Sequence, residues 1–287
     1  AISGLNAAQA GLVTTGQNIA NANTPGYHRQ SVVQSAAAPL FSGSGFFGQG
    51  VNVDNVVRSY NELLDTQVFR AEARSAFFTA QSAQLGELDR LLADPAAGLA
   101  PALQGFFTAV NEVAANPASL PSRQALLSAS QTLAARFEEI DSRIANLASG
   151  VNAQLNGSIS GINSYSREIA LLNERIVLSQ SATATAPNDL LDQRDRMVGE
   201  LNKVVGVTTV AQNDGSLNVF IGSGQSLVVG SQWAPLSVQA SVDDPTRLDI
   251  AYGQGANAAP IASRSLQSGS LGGLLAVRDG ALADARD

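Results

Sequence analysis

The chain has 287 residues, a net charge of −7 and no cysteine, and its pI is near 4.7. These values exclude a disulfide, a zinc–thiolate site and a thiol nucleophile, and they argue against non-specific nucleic-acid binding, which needs clustered Lys and Arg to replace phosphate counterions. Aromatic residues make up only 5%, thin for one large globular core but ordinary for long helices packed through Leu, Ile and Ala, and the length accommodates two domains.

No run approaches the ~20 apolar residues of a membrane span. The first cation is Arg29, and no apolar h-region precedes a cleavage site, so no secretory leader is read. The chain starts at Ala and stops at ALADARD within a helical pattern; we therefore expect a trimmed N-terminus and a missing C-terminal part.

The first element is a helix from Ile2 to Asn21, with Leu5, Leu12 and Ile19 seven apart on one stripe. It contains Gly4, Gly11 and Gly16, each costing about 1 kcal/mol relative to Ala, and a helix of this length is marginal in water without packing. The run Ala22, Asn23, Thr24, Pro25, Gly26 and Tyr27 ends it. Pro25 disfavours a helical Thr24 and fixes its own φ, and Gly26 permits a turn that other residues resist. Residues 31–50 are small, polar and Gly-rich, and read as an extended connector. Gly43 to Gly48 matches G-x-G-x-x-G, but the flanking strand, helix and acid of a dinucleotide site are wanting, so a flexible loop is expected.

Leu64, Ala71, Phe78, Leu85 and Leu92 are seven apart and predict a helix closed by Asp94-Pro95 and Gly98. A shorter helix carries Leu103, Phe106, Phe107, Val110 and Val113, and ends by Asn116-Pro117. In the longest helix Leu126, Leu133, Ile140 and Leu147 form one series seven apart, and Leu155, Ile162, Ile169 and Ile176 form another. This repeat implies a coiled-coil-like seam, with Ile144, Val151, Tyr165 and Leu172 alongside. The offset near Gly150, with Gly157 and Gly161, is expected to mark a bend or local loosening.

Pro187-Asn188 breaks the chain, and Asn188 or Asp189 can cap a new helix. Asp189, Asp192 and Asp195 with Arg194 and Arg196 read as structural ion pairing at a helix start rather than a metal or acid–base site. From Val204 the period changes to two. VVGVTTV, then Leu217/Val219/Ile221, Leu227/Val229, Leu236/Val238 and Leu248/Ile250/Tyr252 give five short strands, with turns at Asn213-Asp214-Gly215 and Asp243-Asp244-Pro245. They predict a small antiparallel barrel or sandwich. Residues 253–270 are loose, and SLGGLLAVRD restarts a helix.

The fold class is thus α+β and multidomain: a long coiled-coil-like helical domain with an inserted small antiparallel β domain. The expected segments are 1–50 (assembly helix and connector), 51–203 (helical domain), 204–270 (β domain) and 271–287 (return helix). His28 is the only histidine, and there is no G-x-S-x-G elbow, Walker loop, H-E-x-x-H or EF-hand loop. No catalytic, cofactor-binding or metal residue is assigned, and no cofactor, nucleic-acid, membrane or small-molecule partner is expected.

TPGYHRQ, GQGVNVDNVVRSYNELL, LLAD with FFTAV, NPASLPSRQALLSAS, PNDLLDQRDRMVGELNKVVGV and SLGGLLAVRD resemble the flagellar hook-associated protein 1 family, the hook–filament junction subunit. The ANTPGY-like start is shared with hook and rod proteins; the PNDLLDQRD run separates this family from them. The resemblance implies a non-enzymatic, self-assembling subunit of the bacterial flagellum, extracellular and exported unfolded by the flagellar type III route without a cleaved signal peptide. It implies contact with copies of itself, with hook protein on one side, with another hook-associated junction protein or the filament on the other, and with an export chaperone through the C-terminal part. Asn21, Asn23, Thr24, Pro25, Gly26 and Tyr27 are the expected assembly motif. Leu64, Phe78, Leu85, Leu133, Ile140, Leu147, Ile162, Ile169 and Ile176 are the expected helical seam. Another axial protein of hook or rod type, a helical surface stalk with a β head, and an enzyme with its site in the β domain are the alternatives.

Overall fold

The computed structural model describes residues 2–41, 43–92, 98–183, 185–255 and 258–285. Its order is α1 (Ile2–Ala20), β1 (Gln30–Ala36), β2 (Leu40–Phe41), β3 (Phe46–Phe47), β4 (Val51–Arg58), α2 (Glu62–Leu92), α3 (Leu99–Ala115), α4 (Leu120–Thr183) and α5 (Asn188–Val205). Strands β5 (Val207–Ala211), β6 (Leu217–Ile221), β7 (Gln225–Val229), β8 (Gln232–Trp233), β9 (Leu236–Ala240), β10 (Leu248–Tyr252) and β11 (Ala259–Ile261) follow, then α6 (Gly269–Asp279) and α7 (Ala281–Asp284). No helix of the described residues is long and apolar enough to cross a membrane.

The chain divides into two compact units, Ala1–Glu72 with Gly161–Pro235, and Ala73–Ser160 with Leu236–Asp287. In the first, the core is built on α4, where Ile162, Ile169, Leu172 and Ile176 are at most 1% exposed. They are buried together with Val198, Leu201 and Val205 of α5 and Val219, Ile221, Leu227 and Val228 of the sheet β5-β6-β7-β8. Fully burying one such side chain contributes roughly 1.5–3 kcal/mol. Asn173, wholly buried on α4, resolves the polar problem at this contact. It donates to the carbonyls of Leu217 (2.9 Å) and Gly230 (2.7 Å) and accepts from the Leu217 N–H (3.0 Å), so buried backbone groups at the sheet end are paired.

The second unit buries Ile144, Val151, Leu155 and Ile159 of α4, Ala73 and Leu88 of α2, Ala109 of α3, and Leu271, Leu274, Leu275 and Val277 of α6. Its sheet has the order β11-β10-β9. Gly273 lets α6 approach α2: a Cβ there would lie 2.3 Å from the Phe77 carbonyl oxygen. The paired glycines of SLGGLLAVRD are therefore a packing requirement.

Several expectations are refined. Helix α4 runs for 64 residues without interruption at Gly150, Gly157 or Gly161. The strands of residues 207–261, expected as a small barrel or sandwich, form two separate antiparallel sheets, and β8 and β11 are added to the expected set. Residues 30–58, read as a connector and the start of a helical section, form an antiparallel ribbon of β1 on β4 with a small β2–β3 hairpin beyond it. Asp94 and Pro95, expected to close α2, lie outside the described residues. At its start, the Asn61 side chain accepts from the N–H groups of Leu63 and Leu64 (3.1 and 3.2 Å), capping donors that a helix N-terminus leaves free.

Candidate functional site

Helix α1 is inverted relative to an ordinary surface helix. Its small residues face the ribbon: Ala7 and Thr14 are buried, and a Cβ on Gly50 would lie 2.2 Å from the Ser3 hydroxyl. Its large apolar residues face outward, with Ile2, Leu5, Leu12, Val13 and Ile19 between 64% and 78% exposed. Residues 1–28 contain no Asp, Glu, Lys or Arg.

The turn after α1 is closed by Asn18. Its amide oxygen accepts from the Gln30 N–H (2.8 Å) and the Tyr27 hydroxyl (2.9 Å), and its amide nitrogen donates to the Gln30 carbonyl (2.8 Å). One side chain thus pairs both backbone groups of the first ribbon residue. Within the turn, the Thr24 N–H donates to the Asn21 carbonyl (2.9 Å) and the Tyr27 N–H to the Thr24 carbonyl (3.2 Å). Gly26 has φ +75° and lies against Arg196, whose Cβ and Nε would be 3.4 Å from an added Cβ, so the position is closed to β-branched residues. Asn23 and Pro25 are exposed.

The turn is docked onto α5. The His28 N–H donates to Asp192 Oδ2 (3.1 Å), and His28 Nδ1 lies 2.8 Å from Asp192 Oδ1. From the end of β4, Arg58 Nη1 donates to Asp192 Oδ1 (3.0 Å) and to Asp195 Oδ2 (2.5 Å). Asn188 donates to the Val56 carbonyl (2.7 Å), and Gln30 Nε2 to Asp189 (3.4 Å). Asn188 therefore makes a tertiary contact and does not cap α5, whose N-cap is Pro187. The start of α5 thus receives the base of the ribbon through His28, Gln30, Val56 and Arg58; its acids pair with Arg58 more closely than with the neighbouring Arg194, whose Nε is 3.7 Å from Asp195.

Burial makes these contacts matter. The side chains of Asp192, Arg58 and Asp195 are 5%, 11% and 13% exposed, so loss of a partner strands a charge in a poorly solvated place. Arg58 is held above its usual pKa: burial opposes this, and Asp195 and Asp192 outweigh it. Tyr60, whose ring lies 4.5 Å under the Arg58 guanidinium, is pushed up to about 12 by burial and by Asp195 and Asp65. Burial likewise raises Asp65, whose Oδ2 has no hydrogen-bond partner. His28, Asp192 and Asp195 hold potential ligand atoms within 4.8 Å of one another, but the Arg58 guanidinium already occupies the carboxylate pair, and the arrangement is that of an ion-paired clasp.

The expected seam is split. Ile162, Ile169 and Ile176 are fully buried, whereas Leu133, Ile140 and Leu147 are half-buried. Leu64, Phe78 and Leu85 are 56%, 51% and 39% exposed; in α2 the buried stripe runs through Ala73, Gln84 and Leu88 instead. From sequence Asp192 is assigned structural ion pairing but not its partners His28 and Arg58, and Asn18 is not singled out. Asn18 stands three residues before the Asn21–Tyr27 motif, but nothing local to the sequence links Arg58 to α5.

A family model described as the flagellar hook-associated protein FlgK helical domain matches residues 85–287, and one described as flagella basal body rod protein matches residues 1–28. The chain belongs to the flagellar hook-associated protein 1 (FlgK) family. It is 39% identical to flagellar hook-associated protein 1 of Salmonella typhimurium over 280 residues, 97% of this chain and 51% of that one. Against the protein of the same name from Escherichia coli the identity is 37% with the same coverage, and against that from Bacillus subtilis it is 31% over 71% of this chain and 41% of the relative. The solved flagellar hook junction protein FlgK from Burkholderia pseudomallei is similar in fold, with a TM-score of 0.68 and 36% identity over 74% of this chain and 39% of that one. The chain spans about half the length of the first two of these relatives.

Proposed function

We propose that this chain is part of a structural, non-enzymatic subunit of the bacterial flagellum that joins hook to filament. The observation that carries this reading is the inverted helix α1: an uncharged helix that shows Leu5, Leu12 and Ile19 to solvent has an apolar face suited to a neighbour in a polymer. The motif Asn21–Tyr27 and the clasp on α5 then set the direction in which that helix leaves the body of the subunit. The partially exposed residues of the seam, Leu64, Phe78 and Leu85 on α2 and Leu133, Ile140 and Leu147 on α4, are further contact positions in the assembly. The partners are copies of the chain, hook protein, a second hook-associated protein or the filament, and an export chaperone. The location is outside the cell, reached by type III export.

Deleting the gene is the test. Cells with intact hooks and no attached filaments, restored by the full-length gene, are expected. Immunolabelling should place the protein in a ring at the hook end. Normal filaments in the deletion strain would reject the junction role, and label spread over the cell surface would favour a stalk.

A further inference from the structure

We propose that the β1–β4 ribbon and its aromatic hairpin tip form a contact surface for a second copy of this chain. Residues 30–53 contain no Asp, Glu, Lys or Arg. At the tip Leu40, Phe41, Phe46 and Phe47 are 61%, 61%, 75% and 55% exposed, and the Phe41 and Phe46 rings lie 5.3 Å apart. Along the ribbon Val33 and Val57 are exposed and share a face, because Val57 pairs with Ser31 across the strands. Among the described residues neither β1 nor β4 has a strand on its outer edge. Soluble proteins blunt such edges with Lys, Pro or inward charges. Strand β1 carries no Lys, Pro or charge, and its one irregularity is a register shift between Val33 and Gln34.

The charge distribution selects the occupant. Copies of this chain, whose 287 residues carry a net charge of −7, repel one another where their charged surfaces meet. They meet without that penalty where charge is absent, and residues 30–53 extend the uncharged surface that α1 begins. A free strand edge adds main-chain hydrogen bonds to the apolar contact. A lipid surface is disfavoured, since interfacial anchors pair their apolar face with Lys and Arg and this hairpin has neither. The inference rests on the proposed function, which supplies repeated copies side by side, and goes beyond it in naming the surface.

The test places the photo-crosslinker p-benzoylphenylalanine at Phe46 of the full-length protein and irradiates purified flagella. An adduct of twice the chain's mass, mapped by peptide sequencing to a second copy, is expected. In the same setting Phe41→Ser/Phe46→Ser, checked for an unchanged thermal midpoint in solution, should assemble poorly. Adducts only with a different polypeptide or with lipid overturn the inference and leave the junction role standing, as does the absence of any adduct from protein that is present in the flagella. Absence of the protein from flagella overturns both.

Discussion

His28 and Asp192 stand 164 residues apart in the chain and share two contacts, the backbone N–H and the ring Nδ1 of His28 each meeting one oxygen of the same carboxylate. A sequence motif that ends a helix is thereby tied to a motif that begins one. Arg58 completes the clasp by bridging Asp192 and Asp195, so both strands of the ribbon are fastened to α5 at the one end where Gln30 pairs with Arg58. The rest of the arm, from α1 to the hairpin tip, is largely exposed.

The clasp predicts an order of stabilities. Arg58→Ala leaves two poorly solvated carboxylates without their cation and should cost about 3–5 kcal/mol. Asp192→Ala leaves Arg58 with Asp195 and removes the partner of the His28 N–H, a loss of about 1–3 kcal/mol. Asp192→Asn retains an acceptor and should cost least. Denaturant unfolding of the three variants checks this, and equal midpoints across the set would mean that the clasp is not formed. Titration of the unaltered protein with Mg²⁺, Ca²⁺ or Zn²⁺ should be flat, because Arg58 holds the position a cation would need.

Asp65 predicts a pH dependence of known sign. Burial raises its pKa from 3.8, with Asp195 adding to the shift and His28 and Arg58 opposing it. A carboxyl with a raised folded pKa contributes stability that is full below about 3.8 and is lost as pH rises through the folded value. Asp65→Asn removes that loss. The variant should be more stable than the parent at neutral pH, and the difference should shrink as pH falls through the carboxylate range. Thermal melts of both proteins at several pH values check it; a difference that grows on acidification would reverse the assignment.

The helices, the second apolar stripe of α4 and most strands were legible in the sequence because each follows from local periodicity and turn chemistry. The ribbon was not: residues 31–50 are Gly- and Ser-rich, and their alternation is too weak to announce strands. The clasp was not, since Arg58 and Asp192 meet only through the tertiary fold. Periodicity shows which residues share a face and is silent on whether that face is covered. Leu64, Phe78 and Leu85 share a stripe and are exposed, while Ala73 and Leu88 hold the packed side of α2.

This distinction is measurable. Ile169 is 0% exposed, and Ile169→Asp places an unpaired charge in the core at a cost above about 4 kcal/mol. Ile140 is half-buried, and Ile140→Asp should cost less. Phe78→Asp, at a side chain already half in water, should change the free subunit by roughly 0.5 kcal/mol or little more. Thermal midpoints rank the three, and a Phe78→Asp loss as large as that of Ile169→Asp would show that this part of α2 is buried in solution.

The last prediction concerns α1. Its three interior glycines have open space around them, its apolar side chains face solvent, and its anchorage is the small-residue contact with the ribbon and the Asn18 bonds to Tyr27 and Gln30. A helix so braced exchanges its amides quickly unless further packing is added. Hydrogen exchange over Leu5–Ile19 should therefore be fast in the free protein and slow in assembled flagella. Leu5→Ser/Leu12→Ser/Ile19→Ser should leave the melting of the free subunit almost unchanged, since those side chains contribute little there, and should abolish assembly. Pro25→Ala/Gly26→Val should impair assembly by a different route, because a β-branched residue resists the φ of +75° at position 26. Slow exchange in the monomer, or filaments at the normal rate from the triple-Ser variant, would contradict the assignment of α1 as an assembly helix.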